Sequence, residues 1–177
     1  MDDFKTEESI ALYKSARPAY PKELYSGIMD WLSNGSENRG QKFLLAVDIG
    51  CGAGQSTSWL CQHFEEVIGI DPSEEQVEAA RKNVQDKHNN VTFRTGVAHD
   101  LSFLEDNSVD LITAGVALHW FRMVEFCREA HRVLRPGGAL AAFCHDFDKD
   151  MTLKCGRTIC YAKDVGHIFI LHTNYNL

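Results

Sequence analysis

The stretch VDIGCGAGQS, residues 47–56, constrains the chain more than any other. An apolar, partly β-branched approach through Phe43, Leu44, Leu45, Val47 and Ile49 reads as a strand buried on both faces, and it stops at Gly50. Gly50, Gly52 and Gly54 then alternate with Cys51 and Ala53. Glycines so spaced let the main chain turn where a Cβ would forbid it, and let a ligand approach the backbone within van der Waals contact. A helix predicted over residues 55–63 aims its N-terminal N–H groups at whatever lies on that turn. Strand, turn and helix start together make a ligand seat.

A second short apolar strand, residues 67–70, ends at Asp71, about twenty residues beyond the loop, where nucleotide-binding α/β folds place the carboxylate that accepts ribose hydroxyls. The loop departs from the dinucleotide fingerprint, because its sixth position is Gln55 and not the glycine that lets a helix pack under a pyrophosphate. Asp48, on the strand just before the loop, suits a cationic amino group and disfavours a pyrophosphate. Both features argue against a nicotinamide-dependent dehydrogenase.

The remaining elements alternate in the same manner. Residues 1–15 read as a weak helix, and the prolines of Arg17-Pro18-Ala19-Tyr20-Pro21 break it. Pro21 opens a second helix with Leu24, Ile28 and Leu32 on one face, which runs out in the polar linker at residues 33–36. After Asp71 and Pro72, Ser73 and Gln76 form a capping box, with Glu74 and Glu75 complementing the helix dipole. Strands are predicted over residues 91–95, 108–114 and 139–144. The last comes after a helix over 123–134 and a stop at Arg135-Pro136-Gly137-Gly138, where glycine caps the helix. The class is α/β, a Rossmann-like, mostly parallel sheet with helices on both faces.

An acidic residue followed by G-x-G-x-G, with Asp71 beyond it, resembles the class I S-adenosylmethionine-dependent methyltransferases over roughly residues 13–144. The run Y-x-x-x-R-P-x-Y-P is similar to the N-terminal segment of small-molecule methyltransferases related to trans-aconitate methyltransferase, where it folds over the cofactor. VLRPGG is similar to the loop before that family's fifth strand. The resemblance implies strand order 3-2-1-4-5 and S-adenosylmethionine as cofactor. Asp48 and the loop of Gly50, Cys51, Gly52, Gly54 and Gln55 would take its methionine half, and Asp71 with Pro72 its ribose. Ala98 and His99 would take the adenine, and Val116 and Arg17 would border the cofactor. Where the family often has an acidic side chain this chain has Val97, so adenine recognition rests on backbone groups, on His99 or on Asp100. The segment Gly115 to Trp120 leaves the fourth strand beside the reactive end, and His119-Trp120 matches the family's pair, so His119 is the candidate catalytic residue.

Composition narrows the partners. At 177 residues and a net charge of −7, with basic residues scattered, the chain is one domain whose acceptor is expected to be a small molecule, a carboxylic acid by family analogy, rather than nucleic acid. No apolar run approaches a membrane span, and the acidic N-terminus is unlike a signal peptide, so a soluble, cytoplasmic protein with free thiols is expected. Residues 1–144, with cap helices over 1–40, form the cofactor-binding domain. Residues 145–177 are too short for the family's remaining elements and read as a divergent tail on an apparently truncated chain, although residues 158–161 and 167–172 can pair as a hairpin. Cys155, Cys160, His167 and His172 have too short a central gap for a zinc finger, and no metal is expected. The competing expectation is a non-catalytic cofactor-binding or interaction protein derived from such a methyltransferase.

Overall fold

The computed structural model describes Tyr20 and residues 22–35, 43–143, 159–162 and 166–172, the last two segments as backbone. The predicted N-terminal helix, Arg17 with its proline turn, and Cys155 lie outside the described residues. Helix α1 (Lys22–Gly35) precedes β1 (Phe43–Ile49), the single-turn α2 (Thr57–Leu60), β2 (Phe64–Asp71) and α3 (Glu74–Ala80). Then come β3 (Val91–Thr95), β4 (Val109–Gly115), α4 (Met123–Val133), β5 (Leu134–Phe143), β6 (Ile159–Ala162) and β7 (Gly166–His172).

The sheet runs β3-β2-β1-β4-β5-β7-β6, so the expected order of the first five strands holds. Those five are parallel, and β7 lies antiparallel to β5 with Ala141 opposite Ile170. Strand β6 then pairs antiparallel with β7 as the outermost strand. The tail therefore supplies the final strands of the sheet and covers the apolar β5 edge, which natural folds do not leave open. His167 and His172 both lie within the span of β7.

Successive residues of each strand feed opposite cores. On one face Ala46, Leu111, Ala139, Ala141 and Phe143 pack with Leu24, Ile28 and Leu32 of α1. On the other, Val47, Ile49, Ile112, Leu140 and Ala142 pack with Phe126, Ala130 and Val133 of α4. Each fully buried large side chain contributes about 1.5–3 kcal/mol, so two-sided burial accounts for the continuous apolar runs.

Three local expectations are corrected. The helix predicted over residues 55–63 is only the single turn of α2, because its flanks close as turns with bonds over three residues, Trp59 N–H donating to Ser56 O, Gln62 N–H to Trp59 O and His63 N–H to Leu60 O. The capping box is half formed: Ser73 Oγ accepts the Gln76 N–H at 3.2 Å, but the Ser73 N–H goes to Asp71 Oδ1 at 3.0 Å, not to the Gln76 side chain. Finally, α4 ends at Val133 with Leu134 already extended, so Arg135-Pro136-Gly137-Gly138 lies within β5 as an irregularity, and Gly137 (φ +84°) turns the strand instead of capping the helix.

Candidate functional site: the glycine loop at the sheet's carboxyl end

Strands β1, β2 and β4 end side by side, and the segments leaving their carboxyl ends build the site. After β1 the chain turns through Gly50, Gly52 and Gly54, all with positive φ (+72°, +52° and +86°). The loop is tied to β2 by its backbone: the N–H groups of Gly50 and Cys51 both donate to Ile70 O, at 2.8 and 3.0 Å. Cys51 thus enters through its main chain, and its thiol is buried, pushed up in pKa chiefly by that burial.

The three glycines are needed for different reasons. A Cβ on Gly54 would lie 2.6 Å from Val84 Cγ2, and one on Gly50 would lie 2.5 Å from Ala117 Cβ. A Cβ on Gly52 would meet nothing nearer than Gln76 Oε1 at 3.8 Å. The side-chain direction at Gly52 is therefore the least obstructed of the three, with only the Gln76 side chain in van der Waals reach, the form of a cradle that a ligand can enter against bare backbone.

Asp71 closes the cradle. Its Oδ2 accepts the Gly52 N–H at 2.9 Å and its Oδ1 the Ser73 N–H at 3.0 Å. A carboxylate offers about four lone-pair sites, so these bonds orient Asp71 and leave acceptor capacity for a diol. Partial burial, the largest influence, holds its pKa above the ordinary carboxylate range.

Asp48 is fully buried, and its carboxylate is committed to hydroxyls: Ser56 Oγ (2.8 Å) and Thr57 Oγ1 (2.6 Å) donate to Oδ2, and Thr113 Oγ1 (2.7 Å) to Oδ1. Burial raises its pKa against the lowering effect of those three donors. Asp48 ties the loop's far end to β4, where Thr113 is its register partner. Sequence reasoning, which aims Asp48 at an amino group, misses these three hydroxyl partners.

The other predicted residues border the same end of the sheet. Pro72 and Gln55 are exposed, Ala98 is buried and His99 is half-buried in the loop after β3. That loop is pinned from α4: Glu129 Oε2 accepts the Leu101 N–H at 3.0 Å, and Arg132 donates to Leu101 O and Leu104 O, both at 2.9 Å. After β4, Val116 holds φ +52°, and a 3-10 turn (Leu118–Trp120) presents His119 and Trp120 to solvent with their rings 4.8 Å apart. Tyr20, at the foot of α1, brings its hydroxyl to 3.0 Å from where a Gly115 Cβ would stand, so it too lies at the end of β4. Gln76 carries no site signal in the sequence, where it reads only as part of a helix cap, and the individual contacts of Tyr20 and Ala117, which lie in runs the sequence does single out, appear only with the fold. Among the described residues no group of His, Cys, Asp or Glu could hold a metal ion, and no helix is long and apolar enough to cross a membrane.

A glycine loop leaving β1, an acidic residue at the tip of β2, and a parallel sheet of order 3-2-1-4-5 define a nucleoside-binding Rossmann-like domain. Residues 47–142, more than half of the chain, match the family described as methyltransferase domain, and the chain belongs to that family. It is 42% identical over 137 residues to a Dictyostelium discoideum methyltransferase, covering 77% of this chain and 47% of that one. It is 33% identical over 133 residues to an S-adenosylmethionine-dependent methyltransferase of Saccharomyces cerevisiae, covering 74% and 43%. A type II methyltransferase structure from Anaeromyxobacter dehalogenans superposes with a TM-score of 0.60 at 36% identity, covering 74% of this chain and 50% of the other. The chain thus spans about half the length of these relatives. S-adenosylmethionine is the cofactor that family and fold imply, and the bare backbone at Gly52 beside the Asp71 carboxylate fits the junction of its methionine half with its ribose.

Proposed function

We propose that this chain binds S-adenosylmethionine and transfers its methyl group to a small molecule, a carboxylic acid by analogy with the methyltransferases its N-terminal run resembles. The observation that carries the reading is the cradle in which Gly52 offers bare backbone and Asp71 a fixed carboxylate. The family resemblance assigns the roles of the site residues: Gly50, Cys51, Gly52, Gly54 and Gln55 for the methionine half, Asp71 and Pro72 for the ribose, Ala98 and His99 for the adenine. Val116 is assigned to the reactive end, and Arg17 to the cofactor, the latter because its run is similar to the segment that in related small-molecule methyltransferases folds over the cofactor. Asp48 acts through the loop it anchors, by way of Ser56, Thr57 and Thr113.

When bound, the cofactor supplies an already activated sulfonium methyl, so the work left to the chain is to orient an acceptor and exclude water. A carboxylate acceptor needs no base. A hydroxyl or amine acceptor gives up a proton, and His119 is the titratable side chain at the end of β4 that can take it. The net charge of −7 favours a small acceptor over nucleic acid, and the buried thiols of Cys51 and Cys61 suit a reducing compartment such as the cytoplasm.

Calorimetric titration with S-adenosylhomocysteine, beside a thermal-shift comparison with NAD, tests the reading. Saturable binding of the former and no stabilisation by NAD is expected, with methyl transfer to a small carboxylic acid from the methyl-labelled cofactor. Binding without transfer to any acid in the series would identify a non-catalytic cofactor-binding protein instead.

A further inference from the structure

Val116 is a β-branched residue in the left-handed region, φ +52°, a conformation that costs energy for such a side chain and persists only where its surroundings impose it. Its N–H donates to Phe143 O at 2.7 Å, which fastens the turn to β5. The consequence falls on the next residue. Ala117 is buried, and its Cβ stands only 2.5 Å from where a side chain on Gly50 would begin. The same residue starts the 3-10 turn of His119, since Trp120 N–H donates to Ala117 O at 3.0 Å. One alanine thus touches the cofactor loop with its methyl and the candidate catalytic turn with its carbonyl.

We propose that Ala117 is a positioning residue: the strained turn at Val116 drives its methyl into the space Gly50 leaves, and that contact fixes the glycine loop at one distance from the His119 turn. The inference rests on the methyltransferase reading and goes beyond it by assigning the spacing between the cofactor's methionine half and the end of β4 to a single methyl group. Asp71 anchors the loop from the β2 side. Ala117 would set it from the β4 side, so the two contacts bear on different halves of the ligand.

The experiment compares S-adenosylhomocysteine with 5′-methylthioadenosine, which keeps the adenosyl group and lacks the amino-acid part. The chains compared are the wild type, Gly50→Ala, Ala117→Val, Ala117→Gly and Gly50→Ala with Ala117→Gly. Enlarging either side of the contact is expected to lower S-adenosylhomocysteine affinity by about 30-fold while changing methylthioadenosine affinity by less than about threefold. Ala117→Gly, placed in the Gly50→Ala background, is expected to restore at least about tenfold of the loss. If Gly50→Ala does not fold, Ala117→Val alone carries the comparison, since it widens the contact from the other side without adding a side chain at a left-handed position. Equal losses for the two ligands, no loss, or no restoration in a folded double variant would overturn the proposal while leaving the cofactor reading intact. A wild-type chain that binds neither ligand would overturn both.

Discussion

Asp71, at the tip of β2, accepts the backbone N–H of Gly52 through Oδ2 at 2.9 Å, so the acidic anchor and the glycine loop form one unit. A carboxylate keeps acceptor capacity beyond the bonds to Gly52 and Ser73, and it accepts from hydroxyls more strongly than the protonated carboxyl, in which one oxygen becomes a donor. Burial raises Asp71 above the ordinary carboxylate range in the free protein, and bound ribose hydroxyls lower it again. Affinity for S-adenosylhomocysteine is therefore fully present above the raised pKa and lost as pH falls through it. Asp71→Asn is expected to flatten that profile and, at neutral pH, to weaken binding by at least about tenfold, since a hydrogen bond to a charged group contributes about 1.5–3 kcal/mol. Calorimetry across the acid range checks this, and an equally steep fall in the variant would refute it.

Gly52→Ala separates ligand contact from packing. Its new Cβ meets only Gln76 Oε1, at a van der Waals distance of 3.8 Å, so the folded state loses only about 1–2 kcal/mol for a side chain in the left-handed region. The same Cβ occupies the approach to the backbone. Urea denaturation is expected to show this modest loss while S-adenosylhomocysteine affinity drops by more than about tenfold, and unchanged affinity would show that no ligand lies on that face.

The buried Asp48 leaves a signature in stability. Burial raises its folded-state pKa above that of the unfolded chain, so the folded state holds the proton to higher pH. The stability it contributes is complete below the unfolded pKa and is lost as pH rises through the folded one. In Asp48→Asn this loss is absent, so the variant's unfolding free energy relative to wild type increases from acid to neutral pH. A difference that stays constant across the pH series would show that Asp48 does not titrate with folding.

Asp110, at the opposite end of the sheet from the loop, tests architecture alone. Its Oδ2 accepts the N–H groups of Leu44 (2.7 Å) and Leu45 (3.0 Å), and its Oδ1 lies 3.0 Å from Arg135 Nη1. Arg135 is partly exposed, so the main cost is in the two N–H groups that lose a buried acceptor, about 1–3 kcal/mol each, and Asp110→Ala is expected to lower the urea midpoint clearly. Affinity of the folded fraction for S-adenosylhomocysteine should not change, and a selective affinity loss would place Asp110 in the site's machinery.

How much of this is legible in the sequence depends on the range of each interaction. The loop, Asp71 and the strands before them are local patterns, written in glycine spacing and apolar runs, and the structure places them within a few residues of expectation. The alternation of elements likewise carries the strand order by resemblance. The partners of Asp48 are not legible: Ser56 and Thr57 look like the start of a longer helix, and Thr113 stands opposite Asp48 only once the β1–β4 register is known. Ala117 reads as an ordinary loop residue for the same reason, because its fit against Gly50 depends on the left-handed turn at Val116. The pattern Arg135-Pro136-Gly137-Gly138 reads as a helix stop, yet helix α4 has already ended at Val133 and the glycine serves the irregular start of β5.

The central claim is that an adenosyl ligand lies across the carboxyl ends of β1 and β2, against Gly52 and within reach of Asp71. A crystal structure of the chain grown with S-adenosylhomocysteine tests it most directly. Ribose hydroxyls on the Asp71 carboxylate and the amino-acid half along the Gly50–Gly54 turn are the predicted result, and a ligand bound elsewhere, with the Gly52 face empty, would contradict it.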